Sequence, residues 1–257
     1  MLEGSAFIAA PSGGMTLGQL GADVIRFDQI GGGIDYRRWP ITAQGKSLYW
    51  HSLNKGKRSI AVDFRKPEGR ELLSRLICAP GDDGGLFLTN FPARGWLAYD
   101  ALKRRREDLI YLNLTGDRHG GSALDYTVNA RVGVPFLNGD GVTPLNSALP
   151  AWDVIAGQQI ALGLLAAERH RSRTGEGQLI TLALADVALA KELALRFCNH
   201  LERECACQKW PDFTSLNVGD EVCKHRFVPC GAADECQVLE VKVTHVEGDD
   251  RPSDGAR

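Results

Sequence analysis

One carboxylate stands out by its setting. Asp153 follows Pro150, Ala151 and Trp152 and opens Asp153-Val154-Ile155-Ala156-Gly157-Gln158-Gln159, whose pattern predicts a helix running to Arg171. The proline brings the chain in extended, so Asp153 falls where the helix begins. Backbone N–H groups at a helix start lack partners and carry partial positive charge, which predicts an ionised carboxylate. Such a carboxylate can attack an activated acyl carbon and form an anhydride. Asp is also among the commonest N-cap residues, and on spacing alone the structural role ranks first.

Three further groups bear on the chemistry. Pro11-Ser12-Gly13-Gly14-Met15-Thr16-Leu17-Gly18-Gln19-Leu20-Gly21 is followed by a strand ending at Asp28. Small residues at a strand-to-helix turn admit a phosphate, and an acid ending the next strand can hold a ribose hydroxyl. That is the case for a nicotinamide dehydrogenase, but Gly13, Gly14 and Gly18 do not make G-x-G-x-x-G. The second group is cationic: Arg37 and Arg38 after Gly31-Gly32-Gly33, then Lys55, Lys57, Arg58, Arg65 and Arg94. Singly these read as solvated charge; together, Arg37, Arg65 and Arg94 at one edge of a parallel sheet can neutralise a polyphosphate. The third is Asp125-Tyr126-Thr127-Val128-Asn129-Ala130, where Tyr126 either hydrogen-bonds a substrate carboxylate or oxyanion or packs with its hydroxyl satisfied. His51, His119 and His170 have no spacing that suggests a metal site or a triad.

The elements that must position these groups alternate short apolar runs with amphipathic stretches from Phe7 to about Phe197, the pattern of βαβ units. Strands are predicted at Ala22–Phe27, Ser59–Phe64, Gly85–Asn90, Asp108–Leu114 and Leu179–Leu184. Helices are predicted at Met15–Leu20, at Glu68–Ile77 behind Pro67, and from Asp186 to about His200. Residues 116–146 read as a glycine-rich loop, a length usually reserved for function or mobility. The expected architecture is α/β, a mostly parallel Rossmann-like sheet with flanking helices, whose strand-end loops hold the ligand.

The 257 residues suffice for one large domain or two small ones, and 30 Lys and Arg against 32 Asp and Glu give a net charge of −2. This balance argues against a nucleic-acid partner or a membrane patch. The longest apolar stretch, residues 160–167, is too short to span a bilayer, and no secretory signal is visible, so a cytoplasmic protein is expected. Cys78 precedes six cysteines from Cys198 onward, which share the end of the chain with His200, His225 and His245. No C-x-x-C pair appears there, so no metal is expected. A boundary is placed near Cys198, separating residues 1–197 from a Cys-rich, poorly ordered tail, 198–257.

Several motifs now stand in order: Gly18-Gln19-Leu20-Gly21-Ala22-Asp23-Val24-Ile25-Arg26-Phe27, Leu53-Asn54-Lys55-Gly56-Lys57-Arg58-Ser59-Ile60-Ala61-Val62-Asp63, Lys66-Pro67-Glu68-Gly69, Thr89-Asn90-Phe91, Trp152-Asp153 and Arg173-Thr174-Gly175-Glu176-Gly177-Gln178. With them the chain resembles the family III CoA-transferases, the group of formyl-CoA transferase and carnitine CoA-transferase, along most of its first 197 residues. The segments 48–58 and 125–130 resemble most the subgroup that moves CoA between C1 and C4 of one mesaconyl group. The resemblance implies that Asp153 is the catalytic residue, that a coenzyme A thioester is the substrate with no permanently bound cofactor, and that acyl transfer runs through an aspartyl intermediate. It also implies that Arg37, Arg65, Asn90 and Phe91 line the CoA side, with Arg94 close by, and that Tyr126 lies near the acyl end. Family members add a second, smaller domain and form an interlocked homodimer. No counterpart of that domain or its glycine-rich loop follows Cys198, and Ile8 stands near where formyl-CoA transferase has a catalytic glutamine. The alternatives are an inactive remnant of such an enzyme and an NAD-dependent oxidoreductase.

Overall fold

A computed structural model describes residues 1–138, 142–191 and 243–244. The chain divides into two units, Met1–Ala188 with Val241–Arg257 and Leu189–Glu240, and the fold that positions Asp153 is that of the first.

Six parallel strands carry it: β1 (Leu2–Gly4), β2 (Ile25–Asp28), β3 (Arg58–Ala61), β4 (Leu86–Thr89), β5 (Ile110–Thr115) and β6 (Leu179–Ala183). A two-residue β7, Val243–Thr244, pairs antiparallel with β6. The order β3-β2-β1-β4-β5-β6-β7 reverses direction between β1 and β4, the switch point beside which open α/β sheets bind ligands. Successive residues of the central strands face opposite layers, as the two-residue strand period requires. Leu88, Ile110, Leu112 and Leu114 pack with α1 (Ala9–Gln19) and α7 (Ala151–Thr174). Phe87, Leu109 and Tyr111 pack with α3 (Pro67–Ile77), the 3-10 turn Gly95–Leu97 and α4 (Tyr99–Lys103). Short helices α2 (Leu48–Leu53), α5 (Asp125–Val132) and α6 (Val134–Leu137) lie in the connections above the strand ends, and residues 184–191 are again helical.

The expected α/β sheet is present, with three local corrections. Strand β1 lies before the first strand that apolar periodicity marks, because a three-residue strand with a buried Glu3 in it has no apolar period to read. Helix α1 begins at Ala9 rather than Met15, so Pro11, Gly13 and Gly14 are helical against their propensity. Close packing compensates: a Cβ on Gly13 would stand 2.6 Å from Ile160 Cγ2 on α7, and one on Gly14 would stand 1.7 Å from Glu3 Oε2. The stretch read as loop from 116 to 146 contains α5 and α6. The boundary near Cys198, the end of the last predicted helix and the Cys- and His-rich tail, apart from Val243–Thr244 of β7, lie outside the described residues.

Helix α7 is held at both ends. At its carboxyl end Gly175 takes the left-handed conformation (φ 79°) that closes a helix. There the buried Arg171 donates to the carbonyls of Asp82, Gly84, Gly85 and Asp108 at 2.9–3.3 Å. The amino end carries the candidate nucleophile.

Candidate active site

Every backbone N–H of the first turn of α7 has a partner. Ala151 donates to Leu149 O at 2.8 Å and Val154 to Pro150 O at 3.1 Å. Trp152 and Asp153 both donate to Asp125 Oδ2, at 2.8 and 3.1 Å. Asp125 on α5 therefore caps α7 from another helix, and the unpaired amides expected to hold Asp153 ionised are already taken. Asn129, one turn further along α5, supports the cap. Its Nδ2 donates to Asp125 Oδ1 at 3.3 Å, and its Oδ1 accepts from Trp152 Nε1 at 2.5 Å.

Asp153 is 9% exposed, with α1 and α5 packed on its helix. Burial, then the like charge of Asp125, push its carboxyl up to about 7, against a smaller downward pull from Arg38. The expectation of a fully ionised group is thus corrected: near neutral pH Asp153 is a basic, half-protonated carboxyl. Burial likewise pushes Asp125 up.

The loop cations differ in their surroundings. Arg37, Arg65 and Arg94 are exposed, and Arg65 pairs with Asp63 at 3.0 Å. It is Arg38 whose charge reaches Asp153. Its guanidinium lies 4.5 Å from the Tyr49 ring centroid and 5.9 Å from that of Phe7. Burial raises the Tyr49 phenol, so it stays protonated, and its buried Oη has no hydrogen-bond partner among the described residues. Tyr126, half exposed at the start of α5, lies close enough to act electrostatically on Tyr49, and so does Asp153. Asp153, Arg38, Tyr49 and Tyr126 therefore share one polar mouth above the sheet.

Asn90 and Phe91 lie where β4 ends, at the switch point. Asn90 exchanges two hydrogen bonds of 2.9 Å with the backbone of Ala6, tying the β1 and β4 ends together. Phe91 packs on Phe27 and Phe64, with centroids at 6.1 and 6.4 Å.

Beneath the mouth is a buried charge network that composition gave no sign of. Lys57, expected on a surface loop, has a fully buried side chain: its Nζ donates to Glu3 Oε1 and Pro11 O, both at 2.8 Å. Burial holds its ammonium below the usual lysine range. Arg26 bonds Glu3 at 3.2 Å, Ser5 O at 2.6 Å and both oxygens of Asp28 at 2.9 and 3.0 Å. Asp28 is thus committed to an ion pair, and Gly13 and Gly14 are inside a helix, which removes the two features that favoured a dinucleotide. Among the described residues, no group of three His, Cys, Asp or Glu is placed to hold a metal ion.

The architecture and the primary sequence have clear relatives. A family model described as CoA-transferase family III matches residues 1–212. The chain is 68% identical over 193 residues to 2-methylfumaryl-CoA isomerase of Chloroflexus aurantiacus, covering 74% of this chain and 47% of that protein. It is 34% identical over 208 residues to succinate–glutarate CoA-transferase of Agrobacterium fabrum, covering 74% and 51%. A crystal structure of a CAIB/BAIF family protein from Brucella suis superposes with a TM-score of 0.70 at 32% identity, over 82% of this chain and 57% of that one. The chain spans about half the length of the curated relatives it matches.

Proposed function

The chain belongs to CoA-transferase family III, and from that premise we propose that Asp153 is the nucleophile of CoA transfer between carboxylates, acting within one 2-methylfumaryl (mesaconyl) group. The observation that carries the reading is a buried carboxyl at the start of α7, its proton held to about 7, beside an arginine and two tyrosines. The 68% identity to 2-methylfumaryl-CoA isomerase supports the intramolecular form.

In the first step the ionised Asp153 oxygen attacks the thioester carbonyl, giving a mixed anhydride and CoA thiolate. The thiolate then attacks the Asp153 carbonyl carbon, leaving an aspartyl-CoA thioester and the free C1 carboxylate. The C4 carboxylate attacks that thioester and expels thiolate again. Thiolate attack on the C4 carbonyl then returns Asp153 as a carboxylate. No proton is consumed. A carboxylate with its pKa near 7 is a more basic nucleophile than a free one, yet it remains substantially ionised at neutral pH. Holding thiolate and anhydride together makes recapture effectively unimolecular and keeps water from wasting the activated acyl group.

Arg38 supplies the fixed cation of the mouth, and Tyr126 stands at the acyl end. In this proposal Arg37, Arg65 and Arg94 bind the CoA phosphates from exposed loops, over the crevice shaped by Asn90 and Phe91. The working unit is taken as a homodimer in the cytoplasm. Among the described residues no helix is long and apolar enough to cross a membrane.

The test is incubation of the full chain with mesaconyl-C1-CoA, following the C4 isomer by chromatography and the Asp153 adduct by borohydride or hydroxylamine trapping and mass spectrometry. Turnover and adduct, both lost in Asp153→Asn, are expected. CoA binding without adduct or turnover would mark the chain as a non-catalytic remnant and refute the proposed reaction.

A further inference from the structure

Phe7, in the turn from β1 to α1, has φ 65°, the left-handed conformation that a bulky side chain disfavours, and is the one such non-glycine residue among the described residues. Its N–H donates to Asp35 Oδ2 at 2.6 Å. The other oxygen of Asp35 accepts from Arg38 Nη1 at 3.1 Å. Asp35 is 5% exposed, whereas the Arg38 side chain is 44% exposed, so a buried anchor holds a solvent-facing arm.

The loop that brings Asp35 there is built for close approach. Gly32 turns back at φ 97°, where a Cβ would strike the Tyr36 ring, and a Cβ on Gly33 would stand 2.3 Å from Asp28 Oδ1. The loop therefore rests on the buried Arg26–Asp28 pair. Ser47 closes its other end, donating to Arg38 O at 2.5 Å while capping α2, the helix of Tyr49.

We propose that Asp35 is a positioning residue: its two carboxylate oxygens hold the Phe7 turn and the Arg38 guanidinium together, so that Arg38 stays stacked on Tyr49 and faces Asp153. Unrestrained, an arginine at this exposure samples many rotamers, and its charge at Asp153 averages away. The inference rests on the reading of Asp153 as the reactive carboxyl, but its test does not require transfer activity.

The Asp153 carboxyl is titrated by NMR in the full chain carrying 13C-labelled aspartate, with Asp153→Asn to assign the resonance. The groups acting on it are Asp125 from α5 and Arg38 from the loop before α2. Asp35→Asn keeps an oxygen for the Phe7 N–H but releases Arg38. The Asp153 midpoint is expected to rise by about half a pH unit, as in Arg38→Gln, with no further rise in the double variant. The sign discriminates, because removal of a negative charge that acted only through space would lower the midpoint. An unchanged or lowered midpoint, additive effects, or an Asp35→Asn chain that does not fold would overturn the proposal. A rise in a chain that never forms the acyl adduct would sink the transferase reading alone.

Discussion

Asp153→Asn is expected to stabilise the protein, and its pH dependence tests the electrostatics of the site without any substrate. Burial beside Asp125 pushes the folded-state pKa of Asp153 from 3.8 up to about 7. Between these pH values the unfolded chain has released this proton while the folded chain keeps it, so stability falls as pH rises. The cost is absent below 3.8 and complete above about 7. At 1.36 kcal/mol per pH unit that interval corresponds to about 4 kcal/mol, and relaxation around the charge brings the working figure to about 2–4 kcal/mol. Asparagine preserves the size of the side chain and the backbone N–H donated to Asp125. Urea unfolding of both chains at constant ionic strength should therefore show the variant more stable by about 2–4 kcal/mol at pH 7.5, shrinking to about 1 kcal/mol at pH 4.5, with equal m values. No advantage at pH 7.5, or the same advantage at both pH values, would refute the argument.

Asp125→Asn removes the like charge beside Asp153, so the Asp153 midpoint should fall below 7 in a carboxyl NMR titration. The weaker cap should also cost about 1–2 kcal/mol in urea unfolding. In Gly157→Ala the new Cβ would stand 2.0 Å from Ser12 Oγ on α1. A loss of about 1–3 kcal/mol is expected, partly recovered when Ser12→Ala is added, and thermal unfolding of the three chains checks it. Lys57→Met leaves the buried Glu3 without its 2.8 Å partner and should cost about 3–5 kcal/mol. Glu71→Gln, which breaks the exposed pair with Arg105, should cost far less, and denaturation curves of the two variants decide the comparison.

The sheet was legible where apolar runs were flanked by turn residues. Leu86–Thr89, Ile110–Thr115 and Leu179–Ala183 fall within two residues of their predicted spans, and Ile25–Asp28 begins three residues later than predicted. Pro67 marked the start of α3, and Pro150 with Asp153 marked the start of α7. What could not be read depends on partners distant in the chain. Asp125 is 27 residues before Trp152, and its capping role exists only once α5 lies against α7. Its i, i+4 pairing with Asn129 was a local signal, visible only if the segment is read as helix rather than loop. Arg37 and Arg38 are adjacent and chemically identical, and only the loop geometry shows that the second is the one held on Asp35 and Tyr49. Lys57 and Glu3 are separated by 54 residues, so neither charge announces that it is buried. Helix α1 was shortened in the reading because Gly13 and Gly14 count against a helix until the neighbours that require their small size are known.

The double anchoring of α7 bears on how the site accommodates substrates. A helix of 24 residues is a rod about 36 Å long, here with its far end clamped by Arg171 to four carbonyls and its near end gripped by Asp125. Such a rod neither slides nor rotates cheaply, so in the proposed transfer Asp153 is a fixed post against which acyl groups are measured. In that proposal the choice among acyl groups falls to side chains outside α7, the half-exposed Tyr126 among them, which substitution can alter without moving the reacting atom.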